Sequence, residues 1–339
     1  MTDKKVLIVG AGVAGLSAAL LLSKNGVKTI VIEKASYPGG HAASFTCKAA
    51  GKCVKCGACI AEDKLQKAKT DGNIEIFTNS VIKKISAAAP FKAIAENKAK
   101  QFNISCDAVI TATGFTLFNP ALKPYGYKRF DNVITNFELE NMIREKNRIQ
   151  KPSDKKNPNK IAFIQCVGSR DASLNHLWCS KTCCGSAIRM ASLIKDKSPD
   201  TEILFFYIDI QNFGKDFNSY YKKIKDKIKM IRAIPADIFE AEKDLLITYF
   251  DKKTDKSIDE AVDMAILSVG ITPNKPKIVR MLNLKTENTG FISKPKINEA
   301  IKSGIFAAGA ALCPMNIEEA SVSGASAARG VIKYFDRIE

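Results

Sequence analysis

Val6-Leu-Ile-Val9-Gly10-Ala-Gly12-Val-Ala14-Gly15 is the stretch whose reading decides the fold. Val6–Val9 is a short apolar run suited to a buried parallel strand. Glycines at 10, 12 and 15 follow, then a helical pattern from Leu16 to Lys24, then the apolar run Thr29–Ile32 ending on Glu33. Strand, small-residue turn, helix, strand and acid in that order make a dinucleotide fingerprint in its required context. The small residues let backbone N–H groups approach a pyrophosphate at the helix N-terminus, and Glu33 is placed to accept from a ribose hydroxyl.

The same architecture starts again at Lys160-Ile-Ala-Phe-Ile-Gln165-Cys166-Val-Gly168-Ser-Arg170-Asp171. A helix is expected around 185–195, a strand over 202–208, and a closing strand in Ala265-Ile-Leu-Ser-Val-Gly270-Ile-Thr-Pro273-Asn274. Here the turn keeps one glycine, Gly168, and Cys166 stands where the glycine-rich turn should begin. A bulky turn keeps a pyrophosphate at a distance, so no NAD(P)H is expected at this second unit. Cys166, Cys179, Cys183 and Cys184 supply four sulfurs instead, flanked by Arg170, Lys181 and Arg189, which favour thiolates. Four cysteine sulfurs suffice to hold an iron–sulfur cluster. The alternative is a set of buried, unreactive thiols.

The rest of the composition narrows the class. At 339 residues and 46% hydrophobic, the chain is long enough for two or three packed domains. No run approaches the roughly eighteen apolar residues of a membrane span, and the N-terminus enters a strand without a signal peptide. Ten cysteines in such a chain point to a reducing cytoplasm. The net charge of +17 is spread without aromatic interleaving, which argues against a nucleic-acid partner and suits an acidic protein partner or a solvated surface. Ile224, Ile228 and Ile231 at helical spacing suggest an amphipathic helix across Lys222–Lys229.

A second cysteine block, Cys47-x5-Cys53-x2-Cys56-x2-Cys59, lies just past Gly39-Gly40. Three readings stay open: a second cluster with Cys47 as fourth ligand, redox-active or substrate-facing thiols at Cys53, Cys56 and Cys59, or zinc or inert thiols. Zinc is disfavoured because a ribbon brings two separated pairs. His41 is either a proton relay at a cofactor edge or an ordinary loop histidine; His176 either contacts the cluster region or packs, Trp178 reads as a core or interface residue, and Cys106 as a structural thiol. Lys151–Lys160 reads as a linker.

Several motifs carry resemblances. Glu33-Lys34-x4-Gly39-Gly40 resembles flavoproteins with two dinucleotide domains, as do Ala108-Val-Ile-Thr-Ala-Thr113-Gly114 and Gly304-Ile-Phe-Ala-Ala-Gly309-Ala310. Phe163–Asp171 followed by Trp178-Cys179-Ser-Lys-Thr-Cys183-Cys184 resembles the signature of the heterodisulfide reductase A-type family. The resemblance spans essentially the whole chain. It implies an α/β, thioredoxin-reductase-like, two-dinucleotide-binding-domain flavoprotein fold with an iron–sulfur site replacing the NAD(P)H site. It implies an FAD-binding domain over 1–150 with a cysteine-rich insertion at 41–65, a second Rossmann-like domain over 151–275, and a return to the FAD domain over 276–339. FAD contacts are implied at Gly10, Gly12, Ala14, Gly15, Glu33, Lys34, Gly40, His41, Val81, Thr113, Gly114, Gly309, Ala310, Ile317 and Ala320, and a [4Fe–4S] cluster at Cys166, Cys179, Cys183 and Cys184. The helix starting near Ile317 would aim its N-terminus at the flavin ring. Ala310 replaces the aspartate usual in disulfide reductases, as is common in this family.

The repeated Cys-x2-Cys-x2-Cys-x3-Cys-Pro motifs of methanogen members do not occur in this sequence, so bifurcation is not part of what the resemblance implies. The compact form resembles the A-type component of the heterodisulfide-reductase-like complex of sulfur-oxidising prokaryotes. That implies a cytoplasmic homodimer with B- and C-type partner subunits, passing electrons between cluster and flavin. A stand-alone disulfide or persulfide oxidoreductase, the A-type component of a quinone-interacting complex, and a binding protein with structural FAD are the alternatives.

Overall fold

The computed structural model describes residues 4–49, 51–98, 100–211, 217–242 and 244–338. In chain order the elements begin with β1 (Lys5–Val9), α1 (Val13–Lys24), β2 (Lys28–Ile32), α2 (Ala58–Lys69), β3 (Ile74–Phe77), β4 (Ser80–Ile85), β5 (Phe91–Asn97), β6 (Lys100–Cys106) and β7 (Ala108–Thr111). There follow β8 (Phe115–Leu117), β9 (Val133–Thr135), α3 (Asn136–Lys146), β10 (Lys160–Val167), α4 (Cys183–Lys197), β11 (Glu202–Phe206), α5 (Phe217–Ile224) and β12 (Lys229–Ile231). The last are β13 (Asp237–Ala241), β14 (Asp244–Asp251), β15 (Lys256–Val262), β16 (Met264–Val269), β17 (Ile271–Pro273), α6 (Lys277–Met281), β18 (Ile305–Ala307) and α7 (Ile317–Ile338).

Two compact units share this chain. The first takes residues up to 43, 57–116 and from 272 onward; the second takes 44–56 and 117–271.

In the first unit a parallel sheet runs β18-β7-β1-β2-β3. β1 is its centre, pairing with β2 on one side and β7 on the other, and Val6, Leu7 and Ile8 are fully buried because both faces are covered. Helix α1 is buried on nearly all sides. Helix α7 approaches it so closely that a Cβ on Gly324 would lie 2.0 Å from the Ala14 carbonyl oxygen, a contact only small residues permit. The antiparallel sheet β4-β5-β6 brings Phe91 into a second core with Leu7, Val109 and Ile305.

The second unit repeats the plan with the order β12-β11-β10-β16-β9, all parallel. Every residue of β16 is buried. Phe163 and Phe205 pack towards Ile188, Met190 and Leu193 of α4, while Leu204, Phe206 and Tyr249 join the antiparallel sheet β13-β14-β15.

Three expectations shift. The division between units falls after 116 and after 271, not after 150 and 275. The cause is β9, which pairs with β16 at Val133↔Ala265, while Leu139 and Ile143 of α3 sink into the core of Ile161 and Phe163. The 41–65 insertion divides too, with 44–56 in the second unit and α2 in the first. Across Lys222–Lys229 the helix stops at Ile224, and Lys229–Ile231 becomes the edge strand β12 because it pairs with β11.

Candidate functional site

The first glycine turn is built from three different constraints. Gly10 sits at φ +108°, and a Cβ there would lie 2.3 Å from the Ala112 carbonyl oxygen. A Cβ on Gly15 would lie 2.0 Å from the Gly10 carbonyl oxygen, so this glycine serves the approach of helix to strand. Gly12 differs from both: a Cβ there would meet nothing within 4 Å. Its φ of −74° suits any residue, so neither packing nor backbone conformation explains the glycine, and the open space is the cradle a pyrophosphate needs.

Glu33 is buried and its carboxylate accepts from the N–H groups of Ala11 at 2.8 Å and Ala35 at 2.9 Å. Those bonds tie the acid to the turn and leave lone pairs for a ribose hydroxyl. Gly40 lies against Gly12, Gly309 against Ala14, and Thr113 against Gly10. Thr113 also carries a buried hydroxyl oxygen with no hydrogen-bond partner, the condition expected where a bound group is to supply one. Gly114 and Ala310 adjoin these residues. Val81 and Lys34 are exposed beside the Glu33 strand end, where the Ser80 N–H donates to the Glu33 carbonyl.

Helix α7 starts at Ile317 as expected, and its N-terminus is closed by a reciprocal cap: Glu319 N–H donates to Asn316 Oδ1 at 2.7 Å, and Asn316 N–H to Glu319 Oε2 at 3.0 Å. Ala320 lies in that first turn, half-buried. His41 stacks on Phe115 at 4.5 Å and its Nε2 lies 3.2 Å from the Phe115 carbonyl oxygen. The ring keeps an accessible edge, yet desolvation by the surrounding chain holds its pKa below the usual imidazole value.

At the second turn the same positions are filled by protein. Cys166 takes a left-handed φ of +61°, at a point where the pairing of β10 with β16 shifts register. A non-glycine residue held there is strained. Gly168, at φ +80°, is closed off by the Phe118 ring, which a Cβ would enter at 2.0 Å. Beyond it, Ser169 and Ser180 hydroxyls bond at 2.6 Å, the Ile271 N–H donates to Ser180, and the Trp178 indole donates to the Ile271 carbonyl. His176 Nδ1 contacts the Gly168 carbonyl oxygen at 3.0 Å, and its ring lies 4.6 Å from that of Trp178. Both residues pack the loop that carries Cys179.

Cys166, Cys179, Cys183 and Cys184 gather at this end of β10: charge on Cys184 affects the other three thiols, and charge on Cys166 and Cys179 affects Cys183. Cys183 and Cys184 open α4, whose N-cap Thr182 makes no side-chain cap, so the helix end offers its positive dipole to their sulfurs. The Lys181 N–H donates to Cys179 Sγ at 3.2 Å. Burial pushes the Cys166 thiol up to about 12 and raises that of Cys179. Cys183 donates to Cys184, which holds the first thiol protonated and lowers the pKa of the second. A bound cation would reverse these preferences. Among the described residues no three Cys, His, Asp or Glu side chains close around one point as a single ion requires. A four-iron cluster places one thiolate at each corner instead, and four clustered thiols are the donor set it needs.

The cysteine block after the double glycine is divided. Cys47 and Cys53 are exposed and Cys56 half-buried on the 44–56 segment, while Cys59 is exposed at the start of α2 in the first unit. Cys53 Sγ accepts from the Lys55 N–H at 3.4 Å. The 44–56 segment is anchored within the second unit by a buried ion pair, Lys48–Glu140 at 2.5 Å with exposures of 3% and 2%. Glu140 also accepts from Thr46 N–H, Lys48 lies over the Phe45 ring, and Arg189 Nε donates to the Val54 carbonyl. Lys48, Glu140, Phe118 and Asp209 carried no signal in the sequence, because each acts through a partner distant along the chain. Asn274, whose amide donates to the Thr113 carbonyl, and Ser323, whose hydroxyl accepts from Gly309 N–H, were missed for the same reason.

Known proteins resemble this chain in sequence and in fold. Residues 4–164 match the family described as pyridine nucleotide-disulphide oxidoreductase. The chain is 30% identical to the A-type polypeptide of the H(2):CoB-CoM heterodisulfide,ferredoxin reductase of Methanothermobacter thermautotrophicus, over 96% of this chain and 63% of that one. It is 29% identical to the A-type iron-sulfur polypeptide of the CoB--CoM heterodisulfide reductase of Methanocaldococcus jannaschii, over 97% of this chain and 64% of that one. The chain thus spans just under two thirds of the length of these relatives. Thioredoxin reductases of T. acidophilum and of Lactococcus lactis superpose with TM-scores of 0.67 and 0.68 at 19% and 18% identity, each over 99% of this chain and 100% of theirs. The fold is the two-dinucleotide-binding flavoprotein fold.

Proposed function

We propose that this chain is an FAD- and [4Fe–4S]-containing electron-transfer component of a heterodisulfide-reductase-like complex. The observation that carries the reading is the contrast between Gly12, with open space beside it, and Gly168, filled by Phe118 next to four gathered cysteines. The relatives named as A-type heterodisulfide reductase polypeptides support the same assignment. When bound, a flavin exchanges two-electron for one-electron chemistry and a cluster passes single electrons.

The residues divide the work. Gly10, Gly12 and Gly15 shape the turn for the pyrophosphate, and Glu33 accepts from the ribose. Thr113 offers its unpartnered hydroxyl to the same ligand. Cys166, Cys179, Cys183 and Cys184 hold the cluster. His41, its proton affinity lowered by desolvation, holds or releases a proton at Nε2 near the flavin edge. B- and C-type subunits, a homodimer, a cytoplasmic setting and a role in sulfur oxidation belong to the same reading. No helix among the described residues is long and apolar enough to cross a membrane.

Exposed Cys53 and Cys59 favour one rival, a self-contained disulfide or persulfide oxidoreductase working through Cys53, Cys56 and Cys59. Purified protein separates the two. A cluster-bearing electron carrier holds about four irons and four sulfides per flavin, and its flavin stays oxidised in NADH and NADPH. Cys183→Ser lowers iron content with FAD retained. Iron-free yellow protein that NADPH bleaches and a disulfide reoxidises would establish the rival.

A further inference from the structure

Arg170 occupies a position that its stability contribution does not explain. Its backbone is left-handed at φ +54°, and its N–H donates to the Trp178 carbonyl at 3.1 Å, one residue before Cys179. Its guanidinium pairs with Asp209 Oδ1 at 2.5 Å. The Asp209 carbonyl in turn lies 3.8 Å from the Cys184 thiol that donates to it, and Gln211 Nε2 donates to the Asp209 carboxylate at 2.9 Å. One residue thereby links the loop of Cys179, through its backbone, to the segment beside Cys184, through its side chain. The pair is 26% and 38% exposed, and ion pairs this accessible to solvent add little to stability.

We propose that Arg170 is a positioning residue of the cysteine site: held by Asp209, it supplies the positive charge that offsets the thiolates of Cys166, Cys179 and Cys184 and raises the reduction potential of a cluster bound there. This rests on the reading of those cysteines as cluster ligands given above. Four thiolates around a cluster leave a net negative charge that grows on reduction, so a nearby cation stabilises the reduced form. Geometry places that charge at the site: the Arg170 N–H holds the residue before Cys179, and the Asp209 that its guanidinium pairs with accepts from the Cys184 thiol. Asp209 carries the opposing charge of the pair and lies next to Cys184 through its carbonyl. Arg232 also faces Asp209 and adds to the local positive field.

In the first unit the acid after β2 ties itself to the backbone of the turn, through Glu33 and the Ala11 N–H. Past β11 the acid Asp209 ties itself to a side chain of the turn. The substitution of a charged side chain for a backbone donor adds a full positive charge where the first unit has only a dipole.

The test is a redox titration of the reconstituted full chain followed by electron paramagnetic resonance, with iron counted in each sample. Arg170→Gln lowers the midpoint potential, Asp209→Asn raises it, and Arg170→Lys stays near the parent value because the charge is kept. Both shifts shrink in high salt, since the pair is partly exposed. Should Arg170→Gln lose its iron, the upward shift in Asp209→Asn and the unchanged Arg170→Lys carry the test. Iron-loaded variants whose potentials do not move, or move in the same direction, overturn this inference and leave the cluster assignment standing. Parent protein that binds no iron overturns both.

Discussion

At the end of β1 the chain turns through Gly10 and leaves the space beside Gly12 open; at the end of β10 it turns through Cys166, and the space beside Gly168 holds the ring of Phe118. Both turns join a central parallel strand to a helix in the same sheet order, so the difference is not one of scaffold. It lies in what the turn keeps room for. The first uses Gly10 and Gly15 for close approach within the protein and leaves the space beside Gly12 open. The second places a strained, non-glycine residue at the strand end and packs an aromatic ring against Gly168.

The strongest test of this contrast is Gly12→Glu. Because the backbone is unstrained and the Cβ meets open space, the flavin-free variant should melt at the same temperature as the flavin-free parent. Flavin affinity should fall by more than ~100-fold, about 3 kcal/mol, as measured by fluorescence of released flavin. A large drop in melting temperature would mean that Gly12 serves packing after all.

Gly168→Ala should behave in the opposite way. Its methyl enters the Phe118 ring at a left-handed φ, so denaturant unfolding should show a loss of about 2–3 kcal/mol, with flavin content per folded chain unchanged. Equal stability in the two proteins would show the second turn to be as open as the first.

The smallest effect concerns Cys106, a buried thiol outside both turns, raised to about 12 by desolvation. Its folded pKa exceeds the unfolded value of about 9, so its contribution is full below pH 9 and is lost as pH rises towards 12. Cys106→Val should lie within about 1.5 kcal/mol of the parent at pH 7 and decline less steeply above pH 9. Parallel pH profiles would show that the thiol is not desolvated.

Much of this was legible along the chain. The turn of Gly10, Gly12 and Gly15, the acid at Glu33, the start of α7 at Ile317 and the strand at Lys160 follow from short-range patterns, and the strands and helices form where those patterns put them. Other features were not legible because they depend on contacts between distant segments. The lobe boundary moved because β9 found an edge on β16. The stretch after Ile224 left the helix because β11 offered it a parallel partner. Nothing near Lys48 or Glu140 in sequence announces that the two charges meet in the interior, where each would be costly alone.

Backbone sterics and residue spacing act locally, so the two dinucleotide-type units, the intact first turn and the four-cysteine string could all be read from the order of residues. Folding was needed to show that Gly12 faces open space while Phe118 closes Gly168. It was needed equally for the Thr113 hydroxyl without a partner and for Asp209 holding Arg170 beside the thiols. Those outcomes depend on which distant side chain fills a given volume, and packing fixes that only when the whole chain is in place.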